Sequence, residues 1–120
     1  MSTSKRTELT IRSHAADDPP AVTREQGTLT RRDGDLRIRT DSASYWISAE
    51  KLIVYKKYAL TLDPKRETVL EYPTPYGTLH MTVRTKRYKA DHGRVAASYD
   101  LLTEGKVAES INIELTFTEE

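Results

Sequence analysis

Residues 111–118 read Ile-Asn-Ile-Glu-Leu-Thr-Phe-Thr, and the order of apolar and polar side chains there decides the fold class. Ile111, Ile113, Leu115 and Phe117 share one parity, while Asn112, Glu114, Thr116 and Thr118 share the other. A strand turns successive side chains to opposite faces, so this alternation predicts an antiparallel strand with one face packed and one wet. A helix has no use for the pattern, because its apolar stripe repeats every ~3.6 residues.

The same period recurs outward from that segment. Leu9 and Ile11 alternate with Thr10 and Arg12, Leu36 and Ile38 with Arg37 and Arg39, and Leu60 and Leu62 with Thr61 and Asp63. Leu79, Met81 and Val83 alternate with His80, Thr82 and Arg84. Turn chemistry separates these runs. Asp33-Gly34 is the strongest hairpin signal, since both central residues of the favoured turn need positive φ. His92-Gly93 and Glu104-Gly105 sit in similar places, Asp63-Pro64-Lys65 supplies a proline-fixed turn, and Ser48-Ala49-Glu50 a fifth. Only residues 42–58 leave room for a short helical turn, and there Tyr45, Trp46, Ile47, Ile53, Val54 and Tyr55 favour strand. The expectation is an all-β chain of about eight to ten short strands in a single closed or nearly closed antiparallel barrel, because closure removes exposed edges.

Composition narrows the function classes. A chain of 120 residues is read as one domain, residues 1–120. Nineteen Lys and Arg against eighteen Asp and Glu leave a formal charge of +1, which excludes a bulk polycation and an acidic tail alike. Without cysteine there is no disulfide framework, thiolate catalysis or Cys-built zinc site. Residues 1–8 hold no apolar run, so no signal peptide is expected, and no stretch approaches the ~20 apolar residues of a membrane span. A soluble cytoplasmic protein is expected. Residues 1–6 are expected as a flexible N-terminus. Residues 14–20, with Pro19-Pro20, are expected as an exposed loop.

Residues 71–88 carry a more specific signal: Tyr72, then Thr74-Pro75-Tyr76-Gly77, the alternating Leu79 and Met81, and Thr85. Together with Tyr99-Asp100-Leu101 before Gly105, and Asn112-Ile113-Glu114-Leu115, this stretch resembles the signature of the YwiB-like family, small bacterial proteins of unknown function. The resemblance implies a calycin-type barrel, similar in architecture to lipocalins. It implies no activity and no cofactor. The chain looks short for that family, with residues 42–66 compressed, so a strand or loop there is open to having been trimmed.

Several residues invite a chemical role. Pro73 and Pro75 stiffen the backbone around Thr74, and Gly77 permits a conformation that a Cβ would block. The segment is then either a rigid corner with Tyr72 and Tyr76 as packing aromatics, or a cavity mouth offering their hydroxyls to a ligand. Arg31, Arg32, Arg37 and Arg39 flank one turn, and Arg84, Lys86, Arg87 and Lys89 run along a later strand. Facing out, they are solvated charges answered by carboxylates such as Glu114. Facing in, Arg37, Arg39 and Arg84 would grip an anionic small molecule by paired donors. A third option is a basic strip for RNA, or for a protein partner, with Tyr45, Trp46, Tyr55 or Tyr58 as platforms. Asp100, next to Tyr99, is expected to cap the Thr103-Glu104-Gly105 turn or pair with Arg84 or Arg87. Asn112 is expected to bond a neighbouring loop. His14, His80 and His92 have no metal-ligand spacing, and no nucleophile elbow, phosphate loop or paired-carboxylate motif is present, so neither a metal nor catalysis is expected.

Overall fold

The computed structural model describes residues 3–15 and 18–118. Ten antiparallel strands follow one another: β1 (Thr3–Ala15), β2 (Ala21–Arg32), β3 (Asp35–Thr40), β4 (Ser44–Ile47), β5 (Leu52–Tyr55), β6 (Ala59–Leu62), β7 (Thr68–Thr74), β8 (Gly77–Asp91), β9 (Arg94–Thr103) and β10 (Lys106–Phe117). No helix occurs among the described residues. The strands form a single sheet in the order β6-β5-β4-β3-β2-β1-β10-β9-β8-β7. Every neighbour in it is a neighbour in the chain except β1 with β10, so two meanders meet along the first and last strands.

The two edge strands, β6 and β7, adjoin in sequence, and their meeting curls the sheet into a nearly closed barrel. The seam carries no ladder. Thr68 Oγ1 instead donates to Thr61 O at 2.8 Å. The turn between them is tied by Asp63, whose Oδ1 accepts from Lys65 N at 2.9 Å and whose carbonyl accepts from Arg66 N at 3.3 Å. Across the same seam, the Tyr88 hydroxyl lies 2.7 and 2.9 Å from the carbonyls of Ser48 and Lys51, strapping β8 to the β4–β5 turn.

Register converts the alternation into a core. Leu29, Ile38, Tyr45, Val54 and Leu60 stand side by side across β2 to β6, and Leu36, Ile47, Leu52 and Leu62 form the next inward row. With Leu9, Leu70, Val83, Val95, Ala97, Tyr99, Leu115 and Phe117 they pack as one cluster inside the barrel. The hairpins behave as their sequences dictate. Asp33 (φ 52°) with Gly34 (φ 87°), and Glu104 (φ 53°) with Gly105 (φ 79°), each place both central residues at positive φ. Gly27 has a different reason: a Cβ there would stand 2.6 Å from the Arg39 carbonyl oxygen, so β2 and β3 pair closely only without one.

Several expectations are corrected. Of the flexible N-terminus expected over 1–6, Thr3, Ser4, Lys5 and Arg6 are not loose but pair with Arg31, Thr30, Leu29 and Thr28, and residues 1–2 lie outside the described residues. Of the loop expected over 14–20, His14 and Ala15 belong to β1 and pair with Asn112 and Ile111. Residues 18–20 are exposed, and 16–17 lie outside the described residues. Residues 42–58 hold β4 and β5, as the strand-favouring Tyr45, Trp46, Ile47, Ile53, Val54 and Tyr55 lead one to expect, and no helical turn. β4, β5 and β6 have four residues each. Leu79 is 54% exposed despite its parity, because the β7–β8 hairpin runs past the body of the barrel, where no opposing strand covers it.

These contacts predict two different costs in urea unfolding. Leu52→Ala, which empties a fully buried site, should lower stability by about 2–5 kcal/mol. Thr68→Val, which keeps the shape and removes the seam bond, should cost about 1 kcal/mol. A neutral Thr68→Val would mean that packing alone holds the seam.

Candidate binding face

β3 places Arg37 and Arg39 on the opposite face from Leu36 and Ile38, so both point outward. Cross-strand register then builds two outer rows. One runs Ser4, Thr30, Arg37, Trp46, Ile53; the other runs Arg6, Thr28, Arg39, Ser44, Tyr55. The Arg37 guanidinium lies 4.5 Å over the Trp46 ring. A position over the ring suits a delocalised cation on an aromatic face. The Trp46 indole N–H donates to Asp35 Oδ2 at 3.3 Å, fixing the ring plane. Trp46 and Tyr55 remain 36% and 43% exposed.

Two depressions flank this pair. A trough of about 610 Å³ lies over β1–β4, with Ser4, Thr28, Thr30, Arg37, Arg39 and Trp46 in its walls. A smaller one of about 260 Å³ lies between Arg37, Arg39, Ser44, Trp46 and Tyr55. The chemistry on offer is the guanidinium groups of Arg32, Arg37 and Arg39, two exposed aromatic faces and a floor of hydroxyls, with the carboxylates of Asp33 and Asp35 at the margin. Such a surface can stack planar rings and hold anions.

The other sequence-predicted residues do not join this face. Arg84 points outward and is held by Glu67, Nε to Oε2 at 2.7 Å. Tyr72 leans on Tyr58, ring centroids 5.1 Å apart at 46°. Tyr76 is fully exposed at the tip of the β7–β8 hairpin, so it packs on nothing. That tip is rigid through Thr74, whose Oγ1 donates to Gly77 O at 2.5 Å and accepts from Tyr76 N at 3.2 Å. Pro73 and Pro75 frame the turn, and Gly77 adopts φ 125°. Tyr45, considered as an outward platform, is buried instead. Its hydroxyl donates to Glu25 Oε2 at 3.4 Å, and burial, then Glu25, pushes its pKa up. Tyr99 is buried as well, and burial, then Tyr58 and Glu109, pushes its hydroxyl up to about 12.

Asp100 and Asn112 take structural partners that sequence spacing did not indicate. Asp100 Oδ1 accepts from Ser110 Oγ at 2.7 Å and pairs with Lys86 Nζ at 3.1 Å, rather than with Arg84 or Arg87. The cause is a bulge between Thr85 and Arg87, which makes Lys86 an extra residue. Asn112 Oδ1 accepts from Ser98 Oγ at 2.6 Å on the next strand, not from a loop. The carboxylate Glu114 answers Arg94 rather than any of the arginines weighed as ligands. Among the described residues, no group of three His, Asp or Glu side chains could hold a metal ion, and no helix is long and apolar enough to cross a membrane.

A family model described as "Domain of unknown function (DUF1934)" matches residues 53–115, more than half of the chain. Among solved structures, the barrel is similar to the ywiB protein from Bacillus subtilis, with a TM-score of 0.79 at 16% identity over 98% of this chain and 93% of that one. At that identity the likeness shows the fold. No curated protein matches the chain.

The partners of Asp100 predict an acid response. The Ser110 hydroxyl, then the Lys86 ammonium, hold its carboxyl below the ordinary carboxylate range, outweighing burial. A lowered folded pKa stabilises the protein above the unfolded value, about pH 4, and that contribution is lost as pH falls through the folded pKa. Unfolding midpoints measured from pH 6 downward should therefore fall, from about pH 4. Asp100→Asn should flatten that fall; an unchanged slope would remove Asp100 from its cause.

Proposed function

The chain belongs to this family of unknown function, DUF1934, and on that premise we propose that it is a non-catalytic binding module that takes single-stranded RNA on the outer face of β1–β5. One observation carries the reading: Arg37, Arg39, Trp46 and Tyr55 stand on adjacent strands, all outward, with the Arg37 guanidinium already over the indole. Unstacked bases need π faces and guanidinium planes, and their phosphates need cations alongside. The net charge of +1 limits non-specific affinity, but a local strip holds phosphates through neighbouring charges rather than through the total. The setting is the bacterial cytoplasm, and the barrel is calycin-like.

A small-molecule ligand inside the barrel is the second reading, supported by Thr85. Its Oγ1 is buried among the inward side chains of β8 without a hydrogen-bond partner, the one such atom among the described residues. A hydroxyl left so is costly unless a bound molecule or water satisfies it. A thermal-shift panel of fatty acids and anionic metabolites tests this reading. It predicts at least one ligand that raises Tm and loses its effect in Thr85→Val.

The RNA reading is tested by anisotropy of labelled single-stranded RNA, with Trp46 fluorescence as an internal reporter, since the chain has a single tryptophan. Trp46→Ala should weaken binding by about 1–3 kcal/mol. Arg37→Ala with Arg39→Ala should flatten the slope of log affinity against log salt by about 1.4. Affinity unchanged in both variants, or no binding at low salt, overturns the reading.

A further inference from the structure

A second outward trough, of about 450 Å³, lies on β1, β10, β9 and β8, away from Arg37 and Trp46. Two adjacent cross-strand rows form it: His14, Asn112, Ser98, Arg87 and Arg12, Glu114, Ala96, Lys89. Its middle is floored by the small side chains Ala96 and Ser98, while long cationic chains rise at both ends. Those ends are three strand spacings apart, about 14 Å, within reach of each other across a small ligand.

Two of the cations, Arg87 and Lys89, are there because of the bulge at Lys86. Val83 and Thr85 point inward before it, and Tyr88 and Ala90 point inward after it, so Arg87 and Lys89 both emerge outside. The trough's carboxylate, Glu114, is already answered: Arg94 donates to its Oε2 from Nε at 3.0 Å and from Nη2 at 2.5 Å. Lys89 makes only a loose contact, 3.6 Å to Asp91, with both side chains exposed. Arg12 and Arg87 have no ion-pair partner among the described residues. Asn112 accepts from Ser98 through Oδ1, which leaves its Nδ2 group as a donor.

We propose that this trough binds a phosphate group, held by the guanidinium groups of Arg12 and Arg87 with Lys89 and the Asn112 amide as further donors. A tetrahedral dianion can accept from all of them at once, and paired guanidinium donors fit its oxygens. The site stands on residues separate from those of the RNA reading and does not depend on it.

Pyrophosphate, titrated into the wild-type chain at constant ionic strength and followed by amide chemical shifts, is the test. Shifts should concentrate at Ala96, Ser98 and Asn112. Arg12→Ala with Arg87→Ala should weaken binding by about tenfold. Ala96→Glu, which adds a carboxylate to the floor, should abolish it, and Arg37→Ala should leave it unchanged. Far-UV CD and the urea midpoint verify that each variant is folded. A labelled single-stranded RNA added as competitor distinguishes the source: displacement by pyrophosphate assigns the phosphate to a nucleic-acid backbone, and no displacement assigns it to a small phosphorylated molecule. The proposal is overturned if chloride at equal ionic strength reproduces the shifts, if about 10 mM pyrophosphate gives none, or if the double variant binds like wild type.

Discussion

Everything in this barrel depends on the two-residue period of side chains along a strand, held in register by antiparallel pairing. When Leu29, Ile38, Tyr45, Val54 and Leu60 line up inward, the residues between them have no choice but to line up outward. The core and the outer rows are one constraint seen from two sides. A slip of one residue between β3 and β4, with β3 held in place, would turn Trp46 inward and expose Tyr45 and Ile47, at a cost no surface contact could offset. The outer chemistry is therefore placed with the same precision as the core.

Two departures from strict alternation matter as much as the rule. At Lys86 and again between Val107 and Glu109 the register shifts by a residue, and the inward parity changes on either side. The first bulge sends Lys86 to Asp100 and turns Arg87 and Lys89 outward. Without it, Tyr88 and Arg87 would exchange faces, and the hydroxyl strap from Tyr88 to the β4–β5 turn would be lost. One inserted residue thus serves the core, a half-exposed ion pair and the outer trough together.

The seam works by a different economy. β6 and β7 are edges, and edges invite pairing with other chains. Here they face one another across a short turn pinned by Asp63, with Thr68 supplying a side-chain bond where a backbone ladder would otherwise be needed. The β7–β8 hairpin extends past this seam, which explains why Tyr72, Tyr76 and Leu79, apolar or aromatic by type, stay exposed.

The sequence by itself determined the strands, most of the turns and the facing of the inner rows, because alternation and positive-φ turns are local properties that each segment carries alone. Arg37 and Arg39 could be assigned to the face opposite Leu36 and Ile38 from the run Leu-Arg-Ile-Arg. What that face meets could not. The placing of Arg37 over Trp46, the pairing of β1 with β10, the release of Arg87 by a bulge and the capture of Asp100 by Lys86 all join residues through register. Register is fixed only when every strand packs against its neighbours in three dimensions, so these partnerships were left to the tertiary structure.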